Sequence, residues 1–157
     1  MKITAFALLL ILSVTPSKAQ DSQTGFNFLR LPVSAHAAAI GGDNITMIED
    51  DEALIFNNPS LLSSVSDKSI NLNFMHYMRG ANMASAAFNR NIGDLASWAL
   101  SAHYLDYGKM KEVDADNVQT GEFNAKDISL AGYFSYMLAE KLAGGIAMKV
   151  ITSYIGD

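Results

Sequence analysis

The stretch ISLAGYFSYMLAEKLAGGIAMKVITSYI, residues 128–155, decides the fold. It is two alternating runs joined at Ala139-Glu140-Lys141. In the first run Ile128, Leu130, Phe134, Tyr136 and Leu138 share one face, and Ser129, Ala131, Tyr133 and Ser135 share the other. In the second, Leu142, Ile146, Met148, Val150 and Tyr154 stand against Ala143, Gly145, Ala147, Lys149 and Ser153. Period two is the spacing of a strand, and runs of about eleven residues exceed the five or six usual in a globular sheet. A strand tilted by about 45° crosses a bilayer in roughly 9 to 11 residues. The same pattern also fits a long soluble hairpin whose greasy face lies on a core, so the rest of the chain has to decide.

Working outward, three more alternating runs precede this pair. Residues 69–78 set Ile70, Leu72, Phe74 and Met78 against Asn71, Asn73 and Tyr77. His76 falls on the greasy side, either near an interface or after a bulge. Residues 83–91 set Ala84, Ala86 and Phe88 against Ser85, Ala87 and Asn89, and residues 95–106 set Ala96, Trp98, Leu100, Ala102 and Tyr104 against Ser97, Ala99, Ser101 and His103. Trp98 and Tyr104 bracket the apolar stretch, as interface aromatics do. The expected lipid-facing set is Leu72, Phe74, Trp98, Leu100, Tyr104, Leu130, Phe134, Tyr136, Ile146, Met148 and Val150.

Residues 91–94 and 139–141 are short turns at one end, and 107–127 reads as a polar loop at the other. Unequal loops of this kind orient a barrel with its short turns in the periplasm, although the brief turn at 79–82 is a partial exception. The expected fold is therefore all-β, a transmembrane antiparallel β-barrel of which about five strands are present. Five spanning strands cannot close in lipid, where unpaired edges cost several kcal/mol per group, so a longer barrel is expected.

Composition agrees. Of 157 residues 50% are hydrophobic and 17% charged, a near-neutral hydropathy that barrels produce because each strand shows lipid only half its residues. There is no cysteine, which excludes disulfides, thiolate metal sites and cysteine nucleophiles. Lys2, the apolar run 3–12, Pro16 and the small residues before Gln20 form a secretory signal over residues 1–19. The formal charge is −5; without Lys2 and Lys18 nine basic face sixteen acidic residues, or −7. So acidic a chain is a poor partner for nucleic acid.

Residues 20–68 lack the alternation of the strand region. After a polar start, residues 26–32 read as a short extended segment ended by Pro32. Ser34 caps alanine-rich helical turns that Gly41-Gly42 stop. The acids Glu49 to Glu52 suit the start of a short helix over 53–57, solvated and matched to its dipole. Asn57-Asn58-Pro59-Ser60 then turns the chain toward the first strand. Gly41-Gly42 lacks the buried strand and Lys-Ser/Thr of a phosphate loop.

The series SAHAAAIGGDNITMIEDDEALIFNNPSLL resembles the N-terminal plug of outer-membrane barrels of the FadL fatty-acid transporter superfamily. Gly41 and Gly42 match its double glycine, Asp50 and Asp51 its acidic pair, and Asn58-Pro59-Ser60 its Asn-Pro-Ala, with serine in place of alanine. FLRLPVSAHAAAIGG, NNPSLLS and SINLNFMHYMRG are similar, more closely, to the PorV-like barrels of the type IX secretion system. The resemblance implies a short helical plug at 20–68, the first barrel strands at 69–157, and a place in the outer membrane. The partners it implies are outer-membrane lipids and the secretion proteins PorZ, PorU and PorV.

No catalytic constellation accompanies this. His36, His76 and His103 lie in different elements without metal-ligand spacing. Asp114-Ala115-Asp116 opens like a calcium loop but fails at Val118 and Gln119. No nucleophile elbow is present. Inward Lys149, His103 and Tyr133 are expected to pack against the plug rather than line a pore. The charged residues of 107–127, Lys109, Lys111 and Lys126 among Glu112, Asp114, Asp116, Glu122 and Asp127, are expected to be a solvated tip, with a docking surface as the sharper alternative. The expected function is non-enzymatic, without cofactor or metal: a barrel helping to attach exported proteins at the cell surface. The alternatives are a FadL-like transporter of hydrophobic compounds and a soluble periplasmic binding sheet.

Overall fold

The computed structural model describes residues 26–116 and 118–156; the expected signal at 1–19 lies outside them. Five strands, β1 (Ile70–His76), β2 (Asn82–Ile92), β3 (Ala96–Val113), β4 (Gln119–Ala139) and β5 (Leu142–Gly156), form one sheet in the order β1-β2-β3-β4-β5. Every neighbour pair is antiparallel. The all-β class and the five strands expected from the alternation are present. The sheet is open, with β1 and β5 as its edges.

The register sorts residues into rows. His76, Asn82, Asp106, Lys126 and Tyr154 pair in turn across all five strands. Below this polar row come Phe74, Ala84, Tyr104, Ile128 and Thr152, then Leu72, Ala86, Ala102, Leu130 and Val150, then Ile70, Phe88, Leu100, Gly132 and Met148. Arg90, Trp98, Phe134 and Ile146 follow. All of these side chains belong to one face, because alternate residues of a strand point the same way. The position of His76 is thereby settled: β1 runs without a register break, and His76 ends it in the polar row, its Nδ1 2.8 Å from Asn82 Oδ1.

The other face carries the N-terminal segment. Residues 26–68 hold one α-helix, α1 (Ala35–Ala39), and 3-10 helices at Asn27–Arg30, Glu52–Phe56 and Pro59–Ser64. Ile55, Leu62 and Val65 pack on Ala99, Ala131 and Tyr133, and Phe28 packs on Met83 and Leu105. These two clusters are the core, and both lie between segment and sheet.

Three expectations need correction. Residues 107–127 are not one loop, since β3 runs to Val113 and β4 begins at Gln119. A register shift between Asp106 and Lys109, with Gly108 at φ 71, breaks the alternation that would have announced the strands. Residues 26–32 are not extended, for Asn27–Arg30 is a 3-10 turn that carries Phe28 into the core. Pro32 acts only on Leu31, which is extended at φ −69, ψ 139. The turn expected at Asn58-Pro59 opens a 3-10 helix instead, with Asn58 accepting from Ser60 N and Pro59 in the first turn.

Candidate functional site

The seam between the N-terminal segment and the sheet gathers most of the buried polar contacts between distant parts of the chain. The seam is built first by the caps of the segment itself. Ser34 Oγ accepts from Ala37 N at 2.9 Å to start α1. Gly42 N donates to Ala37 O at 2.8 Å and Gly41 N to Ala38 O at 3.2 Å, the paired bonds of a Schellman stop. That stop needs a left-handed residue, and Gly41 has φ 101.

The four acids then go separate ways. Asp51 caps the helix Glu52–Phe56 through Ala53 N and receives His36 Nδ1 at 2.6 Å, with Glu49 3.5 Å from the other imidazole nitrogen. The Asp51 hydrogen bond, opposed by desolvation and aided by the charges of Asp51 and Glu49, holds His36 above its usual pKa. Asp50 accepts from Ser66 N at 2.7 Å and from Ser66 Oγ at 2.5 Å. These bonds keep its carboxyl below the usual range. Asn57 Nδ2 reaches Gly42 O and Asn58 Nδ2 reaches Ile45 O. Gly41, Gly42, Asp50, Asp51, Asn58 and Pro59 are thus drawn into one knot together with His36, Asn57 and Ser66.

Glu52 departs from the expectation of a solvated acid. It is buried, and neither carboxylate oxygen has a side-chain partner. Burial pushes its pKa up to about 7, with the Asn71 main chain pulling down and Asp51 adding to the rise.

The sheet meets the knot with small polar groups. Ser85 Oγ donates to Val33 O at 3.0 Å, Ser135 Oγ to Ser60 O at 3.3 Å, and Lys149 Nζ to Phe56 O at 3.2 Å. Asn89, fully buried, donates to Ser66 O and accepts from Ser69 N, which anchors the entry into β1. His103 lies against the rings of Phe28 and Phe56, and Tyr133 against Phe56 while accepting from Ser101. Lys149, His103 and Tyr133 therefore all touch the N-terminal segment. Asp127, expected in a solvated tip, is buried on this inner face, where Tyr107 and Ser153 donate to it.

Gly145 was not singled out from the sequence beyond its place on the small face. A Cβ there would stand 2.5 Å from the Pro59 carbonyl carbon and 2.8 Å from Ser60 Cα. The Asn-Pro-Ser helix sits directly on β5 at that glycine. A strand glycine facing a helix backbone leaves no sequence mark beyond its parity with Ala143 and Ala147.

The outer face is the opposite of the seam. Leu72, Phe74, Leu100, Leu130, Phe134, Tyr136, Ile146, Met148 and Val150 are exposed there, with Trp98 and Tyr104 half-buried among neighbours. Leu130 is 57% exposed and Met148 78%. Among the described residues no group of three or more His, Asp or Glu side chains is placed to hold a metal. Asp114 instead caps its own turn through Asp116 N and Val118 N. No described helix is long and apolar enough to cross a membrane. The chain matches no protein-family model and no characterised protein.

Proposed function

We propose that this chain is the plugged N-terminal part of an outer-membrane β-barrel, most like PorQ of the type IX secretion system. Its role is non-enzymatic, holding a docking platform for the proteins that attach exported cargo at the cell surface. The observation that carries the membrane reading is the inverted polarity of the sheet: small and polar side chains buried under residues 26–68, and continuous apolar rows left bare outside.

The dimensions support it. From Ile128 to Leu138 the apolar face of β4 covers ten steps, or about 33 Å along the strand at 3.3 Å each. At the roughly 40° tilt of such barrels this is about 25 Å of height, the thickness of their apolar band. The polar row from His76 to Tyr154 would mark one boundary. Arg90, in the row of Trp98 and Phe134, comes within 3.7 Å of Asp67, which offsets its charge. Closure follows from the same reasoning, since the open edges of β1 and β5 need strand partners in hydrocarbon.

The secretion role rests on the likeness of residues 28–42, 57–63 and 69–80 to PorV-like barrels. The knot at Gly41, Gly42, Asp50, Asp51, Asn58 and Pro59 supports it by giving that motif a structural purpose in seating a plug. Two measurements test the halves separately. Fractionation with outer membrane and heat-modifiable gel mobility test the barrel; recovery in soluble periplasmic extract would refute it. Affinity isolation of the full-length protein tests the role, with PorU, PorV or PorZ expected among the retained proteins. Uptake of a labelled fatty acid without such partners would favour transport instead.

A further inference from the structure

Beyond the polar row β3 and β4 outrun β2, whose pairing ends at Asn82 opposite Asp106. Residues 109–113 pair with β4 on one side, and on the other no described strand lies against them. Beside that free edge is an open notch of about 800 Å³. Its floor includes Leu31, Leu105, Tyr107 and Met110, its rim holds Arg79, Lys109 and Lys111, and no acid lines it. Gly108 closes one end: a Cβ there would come within 3.1 Å of Gly80 O, so the β1–β2 turn abuts β3 at this point.

We propose that this notch receives an extended acidic segment of another polypeptide, added as a strand to β3 at residues 109–113. The inference rests on the outer-membrane reading, which puts this end of the sheet outside the bilayer, and it names the kind of partner the platform takes. An unpaired strand edge offers alternating N–H and C=O groups to an incoming chain, and neighbouring pockets take its alternate side chains. Here the edge and an apolar floor occur together. Charge chooses the partner: the protein carries −5 overall, yet three cations rim this notch. A local reversal of that kind steers and selects acidic segments. Lys109 is 3.4 Å from Glu122, but both side chains are well exposed, so the pair exchanges readily for a ligand carboxylate. Lysines on a free edge also serve to repel strands, and in that case no peptide binds.

The test uses the full-length protein in detergent and fluorescence anisotropy with labelled acetyl-Glu-Val-Glu-Val-Glu-Val-amide. The probe is expected to bind in the micromolar range. Binding should weaken at least about tenfold with its lysine analogue, with alternate residues N-methylated, and in the double variant Lys109→Glu, Lys111→Glu. Three results would overturn the proposal: no binding up to about 1 mM, equal binding of acidic and basic peptides, or binding that survives N-methylation. The last would make the notch a pocket for amphiphiles, and displacement by dodecanoate would identify it as such. Heat-modifiable mobility on the same samples separates the two readings. An intact barrel that ignores the peptide refutes the docking alone, whereas a water-soluble protein refutes the outer-membrane reading whatever it binds.

Discussion

On the inner face of the sheet Ser85, Asn89, Ser101, His103, Ser129 and Ser135 are buried, while on the outer face Leu72, Phe74, Leu130, Met148 and Val150 stand open. A sheet folded for water on its outer side has these two sets exchanged, because burying apolar area is the main gain on folding. The inner face reaches satisfaction by another route, with serine and asparagine side chains bonded to the backbone of residues 26–68. The outer face has no such partner within the described residues. The difference teaches that the two faces have different solvents, protein on one side and, on our reading, hydrocarbon on the other.

The sharpest way to break that comparison is a charge in the middle of the outer rows. Phe134→Arg, near the middle of the Ile128–Leu138 run, is expected to cost about 2–4 kcal/mol of folding stability in lipid, the penalty for arginine at the midplane of a barrel. Thr120→Arg, on the same strand beyond the polar row, is expected to stay within about 0.5 kcal/mol. Folded fractions in liposomes, read by heat-modifiable mobility, measure both. Equal and small effects would place Phe134 in water.

The inner face is tested next by adding one carbon. Gly145→Ala puts a Cβ into the backbone at Pro59 and Ser60 and is expected to cost about 1–3 kcal/mol as overpacking. Gly144→Ala points the other way, where its nearest neighbour, Leu138 Cδ1, is an ordinary 3.5 Å contact. It should be nearly neutral. Protease protection of residues 26–68 separates the variants, and a segment equally protected in both would mean that the Asn-Pro-Ser helix does not seat on β5.

Much of this architecture was legible. Parity alone assigned Leu130, Ile146 and Trp98 to one face and Ser135, Lys149 and His103 to the other, because a period of two survives wherever the two faces meet different surroundings. It vanished at 107–127, where charged residues such as Lys109, Lys111, Glu112 and Glu122 are exposed and the bulge at Gly108 shifts the phase. Had the count been carried one residue back from Ile128, Asp127 would have fallen inward, as it does. The motif residues of the seam could be recognised as a group, but their purposes could not. Asp50 and Asp51 look alike in sequence, yet one holds Ser66 and the other caps Ala53. Glu52 continues the same acidic run and is buried, a consequence of where the helix Glu52–Phe56 lies against β1 and β2.

Glu52 supplies a third comparison, between a polar group that the seam satisfies and one that it does not. Its pKa is about 7 in the fold against an ordinary 4.5, so the folded state holds the extra proton. Its contribution is therefore complete below about pH 4.5 and is lost as pH rises through about 7. Glu52→Gln should remove that slope and leave the seam more stable by roughly 1 kcal/mol at alkaline pH. Protease protection of residues 26–68 followed across this window measures it; an unchanged slope would put the carboxyl in contact with water.

The smallest effect is expected at His36, which joins the segment to itself rather than to the sheet. Its pKa is raised in the fold from 6.5, so its support is present below that value and fades as pH climbs through the higher folded one. His36→Ala should loosen residues 26–68 at about pH 5.5 and leave them unaltered well above the folded pKa, without changing the heat-modifiable gel mobility. The direction matters because Asp50 runs the other way: with its pKa lowered from 3.8, its hold on Ser66 is present above that value and lost only in stronger acid. Between those limits both latches are closed, so limited proteolysis across pH should find residues 26–68 best protected in mild acid. A profile that rises steadily toward alkali would mean that neither His36 nor Glu52 contributes to keeping the segment in place.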